Sequence, residues 1–207
     1  MFYGQFELDK VIYQSFFKDK KDGFFVECGS FDGLTECTCK FFEETLNWKG
    51  LNIEPTSYAF KKLQENRPNC INENVALSSV NDKKTFTNAI HPDLGYNFGN
   101  GSLYHSKDHK DELINIGCKF ETFEVECVTF DTLYQKHSLK EIDLFVLDVE
   151  GHEIDALTGI LTIPESALPK VFCIEHTITG FEKIRYMLAN NYKFHSSYAH
   201  NSFFTKI

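Results

Sequence analysis

Short apolar runs alternate with amphipathic segments along this sequence, and four of the runs end in a carboxylate. The apolar runs predict buried strands and the amphipathic segments predict helices, so the alternation is typical of an α/β sandwich with a mostly parallel sheet. In open sheets of this kind, ligands bind outside the carboxyl ends of the strands. We therefore expect the four carboxylates to mark a ligand site. They are Glu27, Glu54, Asp148 and Glu175.

The predicted elements fill one domain, residues 1–207, without repeats or linkers. Residues 1–20 are expected to form an N-terminal helical segment, and residues 89–120 a loop or insert on the substrate side. Residues 123–128 alternate like an exposed or edge strand. Further strands are predicted at 23–29, 50–55, 71–77, 84–88, 143–148 and 170–175, helices at 34–46, 57–66, 108–116, 131–137, 153–160 and 181–190, and a terminal hairpin at 192–196 and 202–206.

Charge and composition argue against some functions. The formal net charge is −9 and only Arg67 and Arg185 are arginines, so the arginine-rich face of a nucleic-acid binder is not expected. No apolar run approaches the roughly 18 residues of a membrane span, and the N-terminus lacks the apolar stretch of a signal peptide. We therefore expect a cytoplasmic protein without a nucleic-acid partner and without a membrane span. Seven scattered cysteines without a C-x-x-C pair indicate neither a disulfide framework nor a zinc site.

The first strand end, residues 27–33, reads E-x-G-x-x-x-G rather than the dinucleotide motif G-x-G-x-x-G. Glycine in this turn lets the backbone approach a ligand closely. The acidic Glu27 would repel a phosphate and suits a cationic or amino-bearing ligand. A plain strand-to-helix turn explains the motif equally well when it is taken alone.

Glu54 ends the second strand, 25 residues after Gly29. In nucleoside-binding α/β folds, a carboxylate roughly 20 residues past the glycine turn accepts hydrogen bonds from ribose hydroxyls. Taken alone, Glu54 is better explained as a surface residue before Pro55. Together, the two strand ends favour a cofactor of the nucleoside type.

Ionisable groups crowd the last two strand ends. Residues 148–153 follow an apolar strand and carry four such groups, and Glu175 and His176 end the next strand. If the two strands are neighbours, Asp148, Glu150, Glu175 and His176 converge on one cleft. Charges there cost folding free energy unless they are paired or bound to a ligand. The alternative is a solvated loop in which Glu153 supports the following helix dipole.

Residues 23–33, 48–55 and 142–153, in this order, resemble the FkbM-type methyltransferases, and residues 74–78 and 174–176 match looser positions of that family. The resemblance implies a class I methyltransferase fold: a Rossmann-like three-layer sandwich with a mostly parallel seven-stranded sheet and a C-terminal antiparallel hairpin. It also implies S-adenosylmethionine as methyl donor and a small-molecule or glycan hydroxyl as acceptor. The implied cofactor residues are Glu27, Gly29, Ser30, Asp32, Gly33, Glu54, Pro55, Val75, Ala76 and Asp148.

The acceptor hydroxyl of an O-methyltransferase is a weak nucleophile, so a base or a metal should help to remove its proton. His176 is the expected base, Asp148 would position the acceptor, and Glu150 and Glu175 would orient His176 or bind acceptor hydroxyls. In a rival arrangement, Asp148, Glu150 and Glu175 hold a magnesium ion. His91, His105 and His109 are better explained as solvated loop residues than as a second metal site.

Other functions stay open on the sequence. The expected function is methylation of a sugar hydroxyl, on a deoxysugar or glycan end. One alternative is a non-catalytic cofactor-binding or scaffold domain, whose acidic cleft would be filled by Lys or Arg. Another is methylation of a non-sugar hydroxyl or an amine. The chain could also be one module of a larger glycan-processing protein.

Overall fold

The computed structural model describes all 207 residues, in eleven strands and seven α-helices. Short 3₁₀ helices lie at Gln5–Glu7, Tyr96–Phe98 and Glu165–Ala167. The strands are β1 (Phe24–Cys28), β2 (Lys49–Ile53), β3 (Ile71–Glu73), β4 (Ala76–Leu77), β5 (Asp82–Ile90), β6 (Gly101–Ser102), β7 (Lys119–Val128), β8 (Leu144–Leu147), β9 (Val171–Glu175), β10 (Tyr192–Tyr198) and β11 (Asn201–Lys206). The helices are α1 (Leu8–Phe16), α2 (Lys40–Leu46), α3 (Ser57–Asn66), α4 (Lys107–Asn115), α5 (Phe130–Lys136), α6 (Glu153–Ile160) and α7 (Phe181–Leu188).

Seven strands form the main sheet in the order β10-β11-β9-β8-β1-β2-β3. The pairs β9–β8, β8–β1, β1–β2 and β2–β3 are parallel, whereas β11 runs antiparallel to both of its neighbours. The predicted mostly parallel seven-stranded sheet with an antiparallel C-terminal hairpin is thereby confirmed. Because β8 lies between β1 and β9, the carboxyl ends of these three strands meet at one edge.

Side chains on a strand point alternately to opposite faces of the sheet. Both faces of this sheet are apolar, and helices cover both. In β8, Phe145 and Leu147 face one layer and are fully buried with residues of α5, α6 and α7. Leu144 and Val146 face the other layer, where they pack with residues of α1 and α2. Strands buried on both faces are continuously apolar, which is why β8 stands out in the sequence.

A second sheet, which the sequence did not predict, has the order β4-β7-β5-β6. Its β5 and β7 pair antiparallel over nine residues, and β4 pairs parallel to β7. The predicted single strand at 71–77 is therefore wrong, since β3 belongs to the main sheet and β4 to the second. Asn74 holds the break, because its side-chain amide donates to the carbonyls of Glu54 and Pro55 at 2.9 and 3.0 Å.

Two further expectations need correction. The strand expected at 123–128 begins at Lys119 and lies inside the second sheet, between β4 and β5, rather than at an edge. The helix expected from Leu34 begins only at Lys40, and the residues before it form turns. Residues 89–120 contain β6, α4 and parts of β5 and β7 as well as loop. None of the helices has the length and hydrophobicity that crossing a membrane requires.

Candidate active site

A cavity of about 1300 Å³ lies between the carboxyl ends of the main-sheet strands and the second sheet. From the main sheet, it is lined by Gly29, Glu54, Asp148 and Glu175, which follow or end β1, β2, β8 and β9. The second sheet contributes side chains of β5 and β7, with the loop between β5 and β6. Three of the four expected strand-end carboxylates therefore face one space.

The turns after β1 and β8 touch each other at Gly29. This residue has φ +87°, in the left-handed region, and a Cβ there would lie 1.8 Å from the carbonyl oxygen of Asp148. Only glycine combines this backbone angle with so close an approach. The glycine of the E-x-G motif thus brings the first strand end against the Asp148 turn.

Glu27 does not line the cavity, and protein groups occupy its carboxylate. The backbone amides of Thr38 and Cys39 donate to it at 2.8 and 3.0 Å, and Arg67 lies 3.5 Å away. These long-range contacts hold residues 34–39 out of a helix. The expected contact between the Glu27 side chain and a cofactor is thus replaced by a structural role.

Ser30, Asp32 and Gly33 also build the turn rather than the cavity wall. The Ser30 hydroxyl donates to the carbonyl of Glu27 at 2.6 Å, and the Asp32 carboxylate accepts from two backbone amides later in the turn. Gly33 has φ +73°, and a Cβ there would meet the side chain of Arg67 at 2.6 Å. Ser30 and Asp32 were predicted to contact the cofactor, but their side chains are hydrogen-bonded within the turn. Gly33, also predicted to contact the cofactor, lies against Arg67 instead.

The second strand end keeps its carboxylate at the cavity. Glu54 is buried and accepts hydrogen bonds from the backbone amides of Phe31 and Thr56 at 3.0 and 2.8 Å. Burial raises the pKa of Glu54, while these hydrogen bonds oppose the rise. Pro55 and Ala76 line the cavity beside it, whereas Val75 packs against the main core.

Asp148, Glu150 and Glu175 face the cavity without a basic partner. Asp148 is accessible to water in the cavity but enclosed by protein, and this burial, with the charges of Glu175 and Glu153, raises its pKa to about 8. Burial, and then the charge of Asp148, raises the pKa of Glu150 well above its usual range. Such elevated carboxyl pKa values are typical of functional sites.

Glu175 carries an unpartnered oxygen. It is 9% exposed; its Oε1 accepts from the amide of Thr177 at 3.0 Å, and its buried Oε2 has no hydrogen-bond partner. A buried carboxylate oxygen without a donor is costly, so it indicates a group that a ligand satisfies.

Glu153 ties the Asp148 turn together. Its fully buried carboxylate accepts from the amides of Val149 and Gly151 at 3.2 and 3.1 Å and from the hydroxyl of Thr179. Glu150 adopts φ +54°, a left-handed conformation that non-glycine residues rarely take, and the hydrogen bonds to Glu153 keep the turn in it. The residues around Asp148 are thereby held in one arrangement.

His176 does not join these carboxylates. Its ring lies outside the cavity, where Nδ1 is 3.0 Å from the hydroxyl of Ser202, and the ring contacts Phe181. The expected convergence of four groups is thus reduced to Asp148, Glu150 and Glu175. The geometry gives no support to His176 as the base.

No three His, Cys, Asp or Glu side chains are arranged to hold a metal ion. The rival magnesium site at Asp148, Glu150 and Glu175 therefore has no preformed geometry. His105 and His109, expected to be solvated loop residues, are half-buried with ring centroids 5.2 Å apart, and His109 lies on α4, whereas His91 lies against Phe98.

The sequence patterns gave no sign of the cavity residues of the second sheet. Phe86, Asn88 and Phe123 face the main-sheet carboxylates from β5 and β7, and His109 faces them from α4. No short motif connects these positions. Only the alternating pattern of residues 84–88 and 123–128 indicated that strands would be present.

The sheet order, with β11 antiparallel to both of its neighbours, is that of the class I, Rossmann-like methyltransferase fold. A family model of the FkbM methyltransferase domain matches residues 27–195. The chain therefore belongs to the FkbM methyltransferase family, and its cofactor is S-adenosylmethionine. No curated protein matches the chain in sequence.

Two solved structures are similar to the chain at a low level. A TehB-like SAM-dependent methyltransferase from Corynebacterium glutamicum is 10% identical, with a TM-score of 0.49, over 97% of this chain and 87% of that one. A fibrillarin/Nop5p complex is 11% identical, with a TM-score of 0.47, over 89% and 72%. Nothing about activity or substrate follows at this level of similarity.

The residues present fit S-adenosylmethionine. Glu54 lines the cavity from the strand end where a ribose-binding carboxylate is expected, and Gly29 keeps the neighbouring turn free of a side chain. The cavity wall contains neither Lys nor Arg, in keeping with a cofactor that has cationic groups and no phosphate.

Proposed function

We propose that this protein transfers a methyl group from S-adenosylmethionine to a hydroxyl of a saccharide. The observation that carries the proposal is Asp148, a cavity carboxyl without a basic partner and with its pKa raised to about 8. A general base is most effective when its pKa lies near the working pH.

Cofactor binding would use the main-sheet side of the cavity. Glu54 would accept hydrogen bonds from the ribose hydroxyls, with Pro55 and Ala76 beside it and the Gly29 turn next to Asp148. When bound, S-adenosylmethionine supplies an electrophilic methyl group. The cavity exceeds the volume of about 300–1000 Å³ that one drug-sized ligand needs, which leaves room for an acceptor.

Asp148, rather than His176, would act as the base. Its ionised carboxylate accepts the hydroxyl proton as the acceptor oxygen forms its bond to the methyl carbon and the carbon–sulfur bond breaks. The Glu153-bound turn holds Asp148 in place, so that catalysis depends on positioning as well as on proton transfer. Glu150 and Glu175 would bind other groups of the acceptor.

Aromatic rings at the rim support a saccharide acceptor. Tyr58 and Tyr96 line the cavity with ring centroids 5.5 Å apart, and both side chains are exposed. Exposed aromatic rings offer apolar faces to sugar C–H groups together with a polar edge. A scaffold protein would fill its acidic cleft with Lys or Arg, and this cavity is open and free of both.

Calorimetric titration with S-adenosylhomocysteine tests the cofactor site first. We expect binding by the intact protein and a loss of affinity in Glu54→Gln, since a neutral amide is a weaker acceptor for two ribose hydroxyls. Exposed Glu126, on β7, provides the matched control, and Glu126→Gln should bind normally. A screen for methylated saccharides, read by mass spectrometry, then tests the reaction. Binding without transfer to any saccharide would refute the proposed acceptor.

A further inference from the structure

The cavity carries far more negative charge than the cofactor accounts for. Eight carboxylates line it, and no Lys or Arg does. The cofactor brings a sulfonium, an ammonium and a carboxylate, and therefore one net positive charge. Three histidines also line the wall, and burial lowers the pKa of His109 and His152, which disfavours a positive charge on these two rings.

Half of these carboxylates are satisfied by protein side chains or serve the cofactor site. Glu121 accepts from the Tyr96 hydroxyl at 2.8 Å and Glu124 from the Thr85 hydroxyl at 2.7 Å, and Glu36 accepts from the Gln5 amide. Glu54 is the proposed ribose ligand. With Asp148 assigned to proton transfer, the three left without a side-chain donor are Glu112, Glu150 and Glu175.

All three of these carboxylates line the cavity. Glu175 ends β9 and Glu150 lies in the turn after β8, whereas Glu112 reaches the cavity from α4. The Oε2 of Glu175 is buried, has no hydrogen-bond partner and requires a donor.

We propose that the acceptor is an amino sugar whose free ammonium group donates to the Oε2 of Glu175, in a cavity wall that Glu150 and Glu112 make more acidic, while a nearby hydroxyl faces Asp148. This inference rests on the proposed O-methyl transfer. An ammonium supplies three donors and a positive charge, which a neutral hydroxyl or an acetamide does not. We expect phosphorylated, nucleotide-linked and uronic acid sugars to be rejected, because the cavity wall has eight carboxylates and no Lys or Arg to pair with their anionic groups.

The test uses matched methyl glycosides with an amino group at C2, C3, C4 or C6, each paired with its N-acetyl form, its parent neutral glycoside and a phosphorylated analogue. The kcat/KM for the best amino glycoside should exceed that of its N-acetyl partner by about 10- to 100-fold, as for a charge-assisted hydrogen bond. The same glycoside should bind to the S-adenosylhomocysteine complex in calorimetry.

Glu175→Gln should remove most of this preference while S-adenosylhomocysteine still binds. The glutamine at position 175 keeps an oxygen that can accept from the Thr177 amide. A second variant, Glu112→Gln, changes an exposed residue of α4 and does not disturb the core. Glu126→Gln should keep the full preference.

The outcomes separate the two proposals. Equal use of amino, N-acetyl and neutral glycosides, or preference for a phosphorylated one, would overturn the ammonium site and leave O-methyl transfer standing. Methyl groups found on nitrogen by NMR, or transfer to no saccharide despite cofactor binding, would overturn the proposed function and this inference with it.

Discussion

The neighbouring strands β1 and β8 each have a carboxylate at the strand end, Glu27 in β1 and Asp148 directly after β8. The first is paired within the protein and the second is not. Glu27 is surrounded by donors from its own chain, including the fully buried Arg67. Asp148 has no basic partner, and its nearest charges are other carboxylates. Glu27 is therefore paired within the chain and holds its turn, whereas Asp148 is left without a donor and faces the cavity.

The largest expected effect is on turnover. Asp148→Asn removes the proposed base without changing the shape of the side chain, so kcat should fall by about 10²- to 10⁴-fold. Calorimetry should still detect S-adenosylhomocysteine binding. His176→Gln is the matched comparison, because its ring lies outside the cavity, and it should turn over nearly as the parent protein does. A large loss in His176→Gln with an active Asp148→Asn would reverse the assignment.

Arg67→Met tests the ion pair that holds Glu27. This change leaves the buried Glu27 and the partly buried Glu43 without their guanidinium, and unfolding in urea should show a loss of about 3–5 kcal/mol in stability. Arg185, the other arginine, is exposed on α7 beside Glu182. Arg185→Met should change stability by less than about 0.5 kcal/mol. Similar values for both variants would show that the Glu27 turn is not held by this pair.

Contact between the two turns is tested at Gly29. Gly29→Ala adds a Cβ that collides with the Asp148 carbonyl and forces an unfavourable φ, so we expect a loss of about 1–3 kcal/mol and weaker cofactor binding. Gly99 has φ +78°, and a Cβ added there would have no other atom within 4 Å. Gly99→Ala therefore reports the backbone strain alone, and it should cost less than Gly29→Ala in the same thermal unfolding measurement.

The smallest expected effect is on the pH dependence of stability. Asp148 titrates near pH 8 in the folded protein and near its ordinary value of about 4 when unfolded. Between these values the folded state binds more protons, so stability falls as pH rises, and the loss is complete above pH 8. Without ligand, Asp148→Asn should be more stable than the parent at pH 8.5, because the asparagine carries no charge. We expect a difference of only about 1 kcal/mol, because cavity water screens the charge of Asp148. At pH 3.5 the two proteins should unfold at the same temperature.

The sequence predicted those features that depend on local pattern. Helices α3 and α6 have the predicted boundaries, and β1, β2, β8 and β9 were located within two residues, because apolar period and flanking breakers determine them. The break at Asn74 and the late start of α2 were missed. Both depend on hydrogen bonds to residues far away in the sequence, from Asn74 to Glu54 and from Cys39 to Glu27.

The candidate site was predictable to the same extent. Glu54, Asp148 and Glu175 face the cavity because parallel strands place their carboxyl ends at one edge. His176 was misplaced, since its side chain meets Ser202 of β11, a contact that no local pattern indicates. Residues 89–120 were expected on the substrate side, but His109 and Glu112 were not singled out there, because the second sheet that brings α4 to the cavity was not foreseen.

The first and last segments of the second sheet along the chain, β4 and the end of β7, lie next to each other. Strands β4 and β7 lie side by side, with Ala76 opposite Cys127, and the amide of Ser78 donates to the carbonyl of Val128 at 2.9 Å. A segment whose two ends meet can be exchanged without displacing the chain around it. Residues 79–126 therefore form a cassette. On the proposed function, grafting a different cassette would change the second-sheet wall of the cavity and leave the main-sheet wall as it is, so we expect this junction to be where acceptor range is altered by recombination rather than by point substitution.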